Sequence, residues 1–167
     1  MDCLPEYCSR PVVVFGCGNI LYGDDGFGPA VADYLNAHSR VPSFACVMDV
    51  GTAIRELLFN IIISDVKPKV IVLVDAMETG LEVGELGHLT VEQVSPEKIN
   101  DFSLHLMPTL NMLKELHADG GVKIDVLAVK PERIPEEMEQ GLTEKVQKAV
   151  VETARYITDT YFAQPPF

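Results

Sequence analysis

Twice near its start the sequence runs from a β-branched stretch through a glycine turn into helical spacing, and a third such stretch follows at once. No other feature restricts the fold as much. Pro11 to Gly16 (PVVVFG) is the first run, and Phe27 to Asn36 then carries Val31, Tyr34 and Leu35 at helical spacing. Phe44 to Val50 predicts a second strand. Thr52 suits the N-cap of a helix whose apolar face is Ile54, Leu57, Leu58 and Ile61. Val70 to Val74, after the breaker Pro68, is unbroken Val, Ile and Leu, as expected of a central strand covered on both faces, and it ends on Asp75.

Beyond Ala76 the text is polar and glycine-rich as far as Asn100, with one short strand expected at His88 to Val91. Leu106, Leu110, Leu113 and His117 predict a helix over Met107 to Leu116, which Gly120 and Gly121 stop. Lys123 to Val129 predicts a strand and Pro131 to Gly141 a loop. Thr143 to Tyr161 predicts a long helix capped by Thr143, with Val146, Val150, Ala154 and Ile157 on its buried face. Strands alternating with helices imply an α/β fold: a three-layer α/β/α sandwich on a mostly parallel, twisted, five-stranded sheet joined by right-handed crossovers. A length of 167 residues fits one domain, 1–167, with 1–10 and 163–167 as flexible ends.

Composition narrows the partners. A net charge of −12 repels phosphate backbones and anionic lipid, so nucleic acid is not an expected partner. The apolar runs fall short of the roughly 18 residues of a membrane span, and Met1 to Arg10 lacks the pattern of a secretory signal. The expectation is a cytoplasmic protein, compatible with a monomer. Cys3, Cys8, Cys17 and Cys46 show no C-x-x-C pair, and reduced thiols follow.

In such sheets ligands bind at the carboxyl ends of the strands, so the loops there deserve the closest reading. The first, Gly16 to Gly28, is glycine-rich but does not suit a nucleotide. A dinucleotide fingerprint needs a glycine where Leu21 stands; a phosphate loop needs Lys and Ser or Thr where Asp24 and Asp25 stand. Paired carboxylates suit a cation instead, although either could simply cap the following helix. The second strand ends on Asp49 and the third on Asp75, so three neighbouring strands deliver aspartates to one rim. Carboxylates that converge repel one another unless a cation or a shared proton intervenes.

Of the four histidines, His38 and His88 lie in polar surface text and His117 near a helix end, where it can meet terminal carbonyls. His105, in Ser103-Leu-His-Leu, precedes a helix that should return to the same crevice. It is either a partly buried structural histidine or a ligand. One imidazole with two carboxylates suits nickel, iron or zinc and leaves positions open for substrate.

These residues together resemble the hydrogenase maturation endopeptidases, which trim the carboxyl end of the nickel–iron hydrogenase large subunit. The resemblance is carried by G-x-G-N-x-L-x-x-D-[DE]-G-x-G at Gly16 to Gly28, D-x-G-T-A at Asp49 to Ala53, V-D-A at Val74 to Ala76 and S-x-H at Ser103 to His105. It implies that Asp25, Asp75 and His105 contact a nickel ion carried by the substrate precursor, with no nucleotide. It also implies that Asp49, Gly51 and Thr52 face the substrate and that the partner is a hydrogenase large-subunit precursor. The chain departs from other members in having Asp25 where several carry Glu, and Leu106-Met107-Pro108 where others are polar. These variants resemble the branch serving the deazaflavin-reducing hydrogenases of methanogens.

Two mechanisms fit these residues. A divalent ion on two carboxylates and an imidazole can polarise a carbonyl and activate water, with Asp24 as a proton acceptor. Asp25 and Asp75 could instead act as a metal-free, proton-sharing dyad. Covalent catalysis is disfavoured, since neither Cys17 nor Cys46 has an evident base and Ser103 is too close to His105 in sequence. The competing classes are a nickel metallochaperone that cuts nothing and a nucleotide-binding oxidoreductase on the same fold.

Overall fold

A computed structural model describes residues 4–94 and 110–167. The elements in order are α1 (Glu6–Ser9), β1 (Val12–Cys17), a 3-10 turn (Gly23–Gly26), α2 (Phe27–His38), β2 (Ala45–Gly51), α3 (Ile54–Ile63), β3 (Val70–Ala76), β4 (Leu86–Thr90), α4 (Leu110–Ala118), β5 (Lys123–Val129) and α5 (Glu144–Tyr161). The sheet has the order β2-β1-β3-β5-β4. The pairs β2/β1, β1/β3 and β3/β5 are parallel, and β4 closes the edge antiparallel to β5. The expected five-stranded, mostly parallel α/β sheet is therefore present. β3 lies in the middle, which is why its whole length from Val70 to Ala76 is buried.

Two apolar layers sandwich this sheet, because side chains of a strand alternate between its faces. Val13, Phe15, Ile71 and Leu73 pack with Ile54, Leu58 and Ile61 of α3 and Leu113 and Leu116 of α4. Val12, Val14, Val72 and Val74 pack with Val31 and Leu35 of α2 and with Val146, Val150, Ala154 and Ile157 of α5. The periodicities of α2, α3 and α5 had marked these same positions. Each large aliphatic side chain so enclosed contributes roughly 1.5–3 kcal/mol. No helix among the described residues is long and apolar enough to cross a membrane.

Local chemistry moved several boundaries. Thr52 is not the cap of α3: the N-cap is Ala53, which makes no side-chain bond. The reason is the turn before it. Gly51 N–H donates to Asp49 Oδ1 at 2.9 Å and Ala53 N–H to the Val50 carbonyl at 2.9 Å, and these two bonds delay the first helical residue to Ile54. Thr143 does hold the N-cap position of α5, but its hydroxyl is bonded elsewhere and not to the helix. The expected strand at His88 to Val91 is β4, displaced by a residue or two, and its antiparallel direction was not legible locally. The helix expected from Met107 is described from Leu110 onward.

From β1 the chain passes first to β2 on one side and later to β3 on the other. That reversal of strand order leaves a crevice above the carboxyl ends of β1 and β3.

Candidate functional site

The rim is level because the strands are in register. Gly16 of β1 pairs with Asp49 on one side and Val74 on the other. Asp49, the start of the glycine loop and Asp75 therefore stand at one height. Alternation on β3 puts Asp75 on the same face as Ile71 and Leu73, towards α3 and α4. Asp75 is wholly buried, and its Oδ1 accepts the N–H of Ala76 at 2.9 Å.

The loop after β1 brings Asp25 back to this point. Gly18 N–H donates to the Gly51 carbonyl at 2.9 Å, which ties the loop to β2. Asn19 N–H then donates to Asp25 Oδ2 at 2.9 Å, and Leu21 N–H to Asn19 Oδ1 at 3.0 Å, so Asn19 organises the loop in both directions. Asp25 is 6% exposed. The glycines of this loop are explained by close approach of backbones. A Cβ on Gly18 would lie 1.9 Å from the Asp25 carbonyl oxygen, and one on Gly28 would lie 2.2 Å from that of Cys17 and 2.3 Å from that of Val74. The first turn of α2 thus rests directly on the ends of β1 and β3.

Cys17 reports how closely the acids converge. Burial is the chief reason its thiol is pushed well above the usual range, and the charges of Asp75, Asp49 and Asp25 push it further. Carboxylates from β2, β3 and the 3-10 turn act on one buried sulfur. A thiol so held stays protonated and is not a nucleophile. Cys46 is likewise raised, to about 11, first by burial and then by Glu6.

Asp49 is exposed, and its bond to Gly51 stabilises a turn in which Gly51 has φ +52°. Beside it an open groove is lined by Asn19, Ile20, Asp49, Gly51 and Thr52, among others. Ile20 is 54% exposed there. Asn19, which lines this groove, is the residue whose amide holds Asp25.

Asp24 is placed otherwise. It is fully buried and turned to the segment after β5: Oδ2 accepts the N–H of Glu132 at 2.8 Å and of Arg133 at 2.9 Å, and Oδ1 accepts the N–H of Thr143 at 2.7 Å. The Thr143 hydroxyl also donates to this carboxylate, 3.0 Å from Oδ1 and 2.9 Å from Oδ2. Nothing local in the sequence announces these partners.

His105 and Ser103, together with Leu106 to Pro108, lie outside the described residues. His38 is exposed and stacks on Tyr34. His117 Nδ1 lies 2.9 Å from the Val122 carbonyl, and its Nε2 pairs with Glu92 at 2.8 Å. His88 belongs to a network that sequence reading missed. Its Nε2 lies 3.3 Å from Asp125 Oδ1 and its Nδ1 lies 2.9 Å from Tyr156 Oη, while Tyr161 donates to Asp125 Oδ2 at 2.7 Å. This cluster sits near the start of β5, at the opposite end of the strand from the aspartate rim. Among the described residues no group of three His, Cys, Asp or Glu could hold a metal ion.

Fold and rim define a doubly wound α/β domain whose sheet carries Asp49 and Asp75 to the rim where the loop after β1 brings Asp25. The chain belongs to the hydrogenase maturation protease family, whose pattern it matches over residues 29–160. A Methanocaldococcus jannaschii protein assigned as a hydrogenase maturation protease is 32% identical, over 85% of this chain and 90% of its own. The coenzyme F420 hydrogenase subunit delta of Methanothermobacter thermautotrophicus is also 32% identical, over 89% of this chain and 92% of its own. Among solved structures, the hydrogenase-maturating endopeptidase HybD of Escherichia coli superposes with a TM-score of 0.74, covering 90% of this chain and 91% of that one at 24% identity, a likeness of fold.

Proposed function

We propose that this protein is an endopeptidase that removes a short C-terminal extension from the precursor of a nickel–iron hydrogenase large subunit, and that it recognises the precursor by the nickel already installed. The observation that carries this reading is the convergence of Asp25 and Asp75, with Asp49 beside them, around the buried Cys17 at the switch point of the sheet. Family membership supplies the reaction class. The similarity to a coenzyme F420 hydrogenase subunit supports a hydrogenase of that kind as the source of the precursor.

In this reading Asp25, Asp75 and His105 are the donors offered to the nickel of the precursor. Buried carboxylates attract a divalent cation strongly, because little water screens them. The precursor, not this chain, brings the ion, so a precursor without nickel forfeits that attraction. Asp49, Gly51 and Thr52 line the groove that seats the polypeptide next to the scissile bond. Asp25 and Asp75 are held by the Asn19 and Ala76 amides and need little rearrangement to meet the ion.

The test is the intact mass of a purified large-subunit precursor after anaerobic incubation with this protein, with nickel inserted and without. Loss of a short C-terminal peptide from the nickel-loaded form alone is expected. The Asp75→Asn protein should lose at least about 100-fold in cleavage rate while keeping its fold, as judged by circular dichroism. Cleavage of both precursor forms alike would refute nickel reading. An unchanged precursor, beside a control protease that cuts it, would leave a nickel-handling protein that does not cut.

A further inference from the structure

We infer that Asp24 is a positioning residue: it takes no proton from substrate, and instead orients Asp25 by clamping the segment after β5 against the 3-10 turn that carries both. This rests on the peptidase reading above. A carboxylate has about four lone-pair sites, and Asp24 meets four donors: the amides of Glu132, Arg133 and Thr143 and the Thr143 hydroxyl. It is saturated, so the part of proton acceptor expected from its sequence position has no free site. Its partners lie 108 to 119 residues further along the chain.

The turn itself explains why a clamp is needed. Gly23–Gly26 is four residues long. A 3-10 turn has three residues per turn, so neighbouring side chains point about 120° apart. Asp24 and Asp25 therefore face different ways on one small element, Asp24 towards the 131–143 segment and Asp25 towards the Asn19 amide. Four residues cannot fix their own orientation, since so short a helix is unstable alone. The fixing is external. Gly23 N–H donates to the Glu139 carbonyl at 2.8 Å, Asp24 N–H to the Arg133 carbonyl at 3.1 Å and Glu139 N–H to the Leu21 carbonyl at 2.9 Å. Arg133 and Glu139 then close the far side through paired bonds of 3.0 and 2.6 Å. The Asp24 carboxylate is wholly buried in this belt, and every donor it holds comes from the opposing segment. In Asp24→Asn an amide N–H₂ must face at least one of those N–H donors, and that side of the belt opens. A rotation of the turn by about 1 Å at Asp25 suffices to slow catalysis about 100-fold.

The experiment compares wild type, D24N, T143V and T143S on nickel-loaded precursor. It measures kcat across pH, well below every variant's melting temperature, with amide hydrogen exchange on the same samples. D24N is expected to lower kcat about 10- to 100-fold with an unchanged pH-profile shape and to speed exchange in residues 19–27. T143V should lower kcat in the same direction by less, and T143S, which keeps the hydroxyl, should restore it. Loss of one limb of the D24N pH profile would overturn the inference in favour of a proton acceptor. A D24N kcat within twofold of wild type, with only a lower melting temperature, would overturn it in favour of a purely stabilising role. If D24N does not fold, T143V against T143S decides by the same criteria. If wild type itself does not cleave, the peptidase reading falls, and exchange decides the clamp: faster exchange at 19–27 in D24N supports it, and unchanged exchange there overturns it.

Discussion

Replacing Gly28 by alanine should damage both stability and the site, although alanine is the better helix former. The added Cβ would lie 2.2 Å from the Cys17 carbonyl oxygen, 2.3 Å from that of Val74 and 2.5 Å from the Cys17 nitrogen, where contacts under 3.0 Å are essentially never seen. All three are backbone atoms of β1 and β3, buried in the sheet, and they cannot turn aside as a side chain can. α2 must therefore retreat by about 0.8 Å or more. Overpacking of this kind costs about 1–3 kcal/mol, and three rigid neighbours place it near the upper end. Alanine over glycine in a helix returns about 1 kcal/mol. The net loss is about 2 kcal/mol, which for a chain of this size lowers the melting temperature by roughly 4–8 °C. Differential scanning calorimetry measures it. α2 continues directly from the turn bearing Asp25, so cleavage of nickel-loaded precursor should fall as well, at a temperature where the variant is fully folded. A melting temperature within 1 °C of wild type would refute the claim that the helix rests on the strand ends and would leave the glycine without this explanation.

Two further outcomes follow from groups outside that contact. Burial pulls the Asp125 carboxyl upward, but the bonds from Tyr161, Lys123 and His88 outweigh it and hold the group below its usual 3.8. A carboxyl lowered on folding stabilises the protein above its unfolded value, and that contribution disappears as pH falls through the folded value. Tyr161→Phe should thus cost about 1–2 kcal/mol at pH 6, and urea unfolding should show the gap from wild type narrowing towards pH 3; a gap independent of pH would refute the role of the ionised carboxylate. Cys17, buried and raised, should escape iodoacetamide at pH 7.5 in the native protein and react once urea unfolds it; native labelling within minutes, located by peptide mass, would contradict the burial of this thiol.

Much of the fold is legible in the sequence because burial on both faces of a parallel sheet leaves a local mark. Val12 to Phe15 and Val70 to Val74 have to be apolar at every position, and Val146, Val150, Ala154 and Ile157 have to recur at helical spacing. Asp25, Asp49 and Asp75 are legible as a set for a related reason: Asp49 and Asp75 stand near the carboxyl ends of β2 and β3, Asp25 stands in the loop after β1, and parallel strands carry their ends to one rim. The family resemblance added the grouping with His105, which lies outside the described residues.

What only the tertiary structure decided depends on partners far apart in the chain. Asp24 reads as a cap or a base until Glu132, Arg133 and Thr143 are seen around it. His88 reads as surface text until β4 turns antiparallel beside β5 and brings it to Asp125 and Tyr156. Thr143 holds the cap position that its sequence suggests, but its hydroxyl is claimed by a carboxylate 119 residues away. Periodicity is written in neighbours because each residue of a helix or strand repeats the geometry of the one before it. The pairing of a buried charge is not, since its donors are brought to it by the packing of whole elements, and no window of sequence contains both ends of the bond.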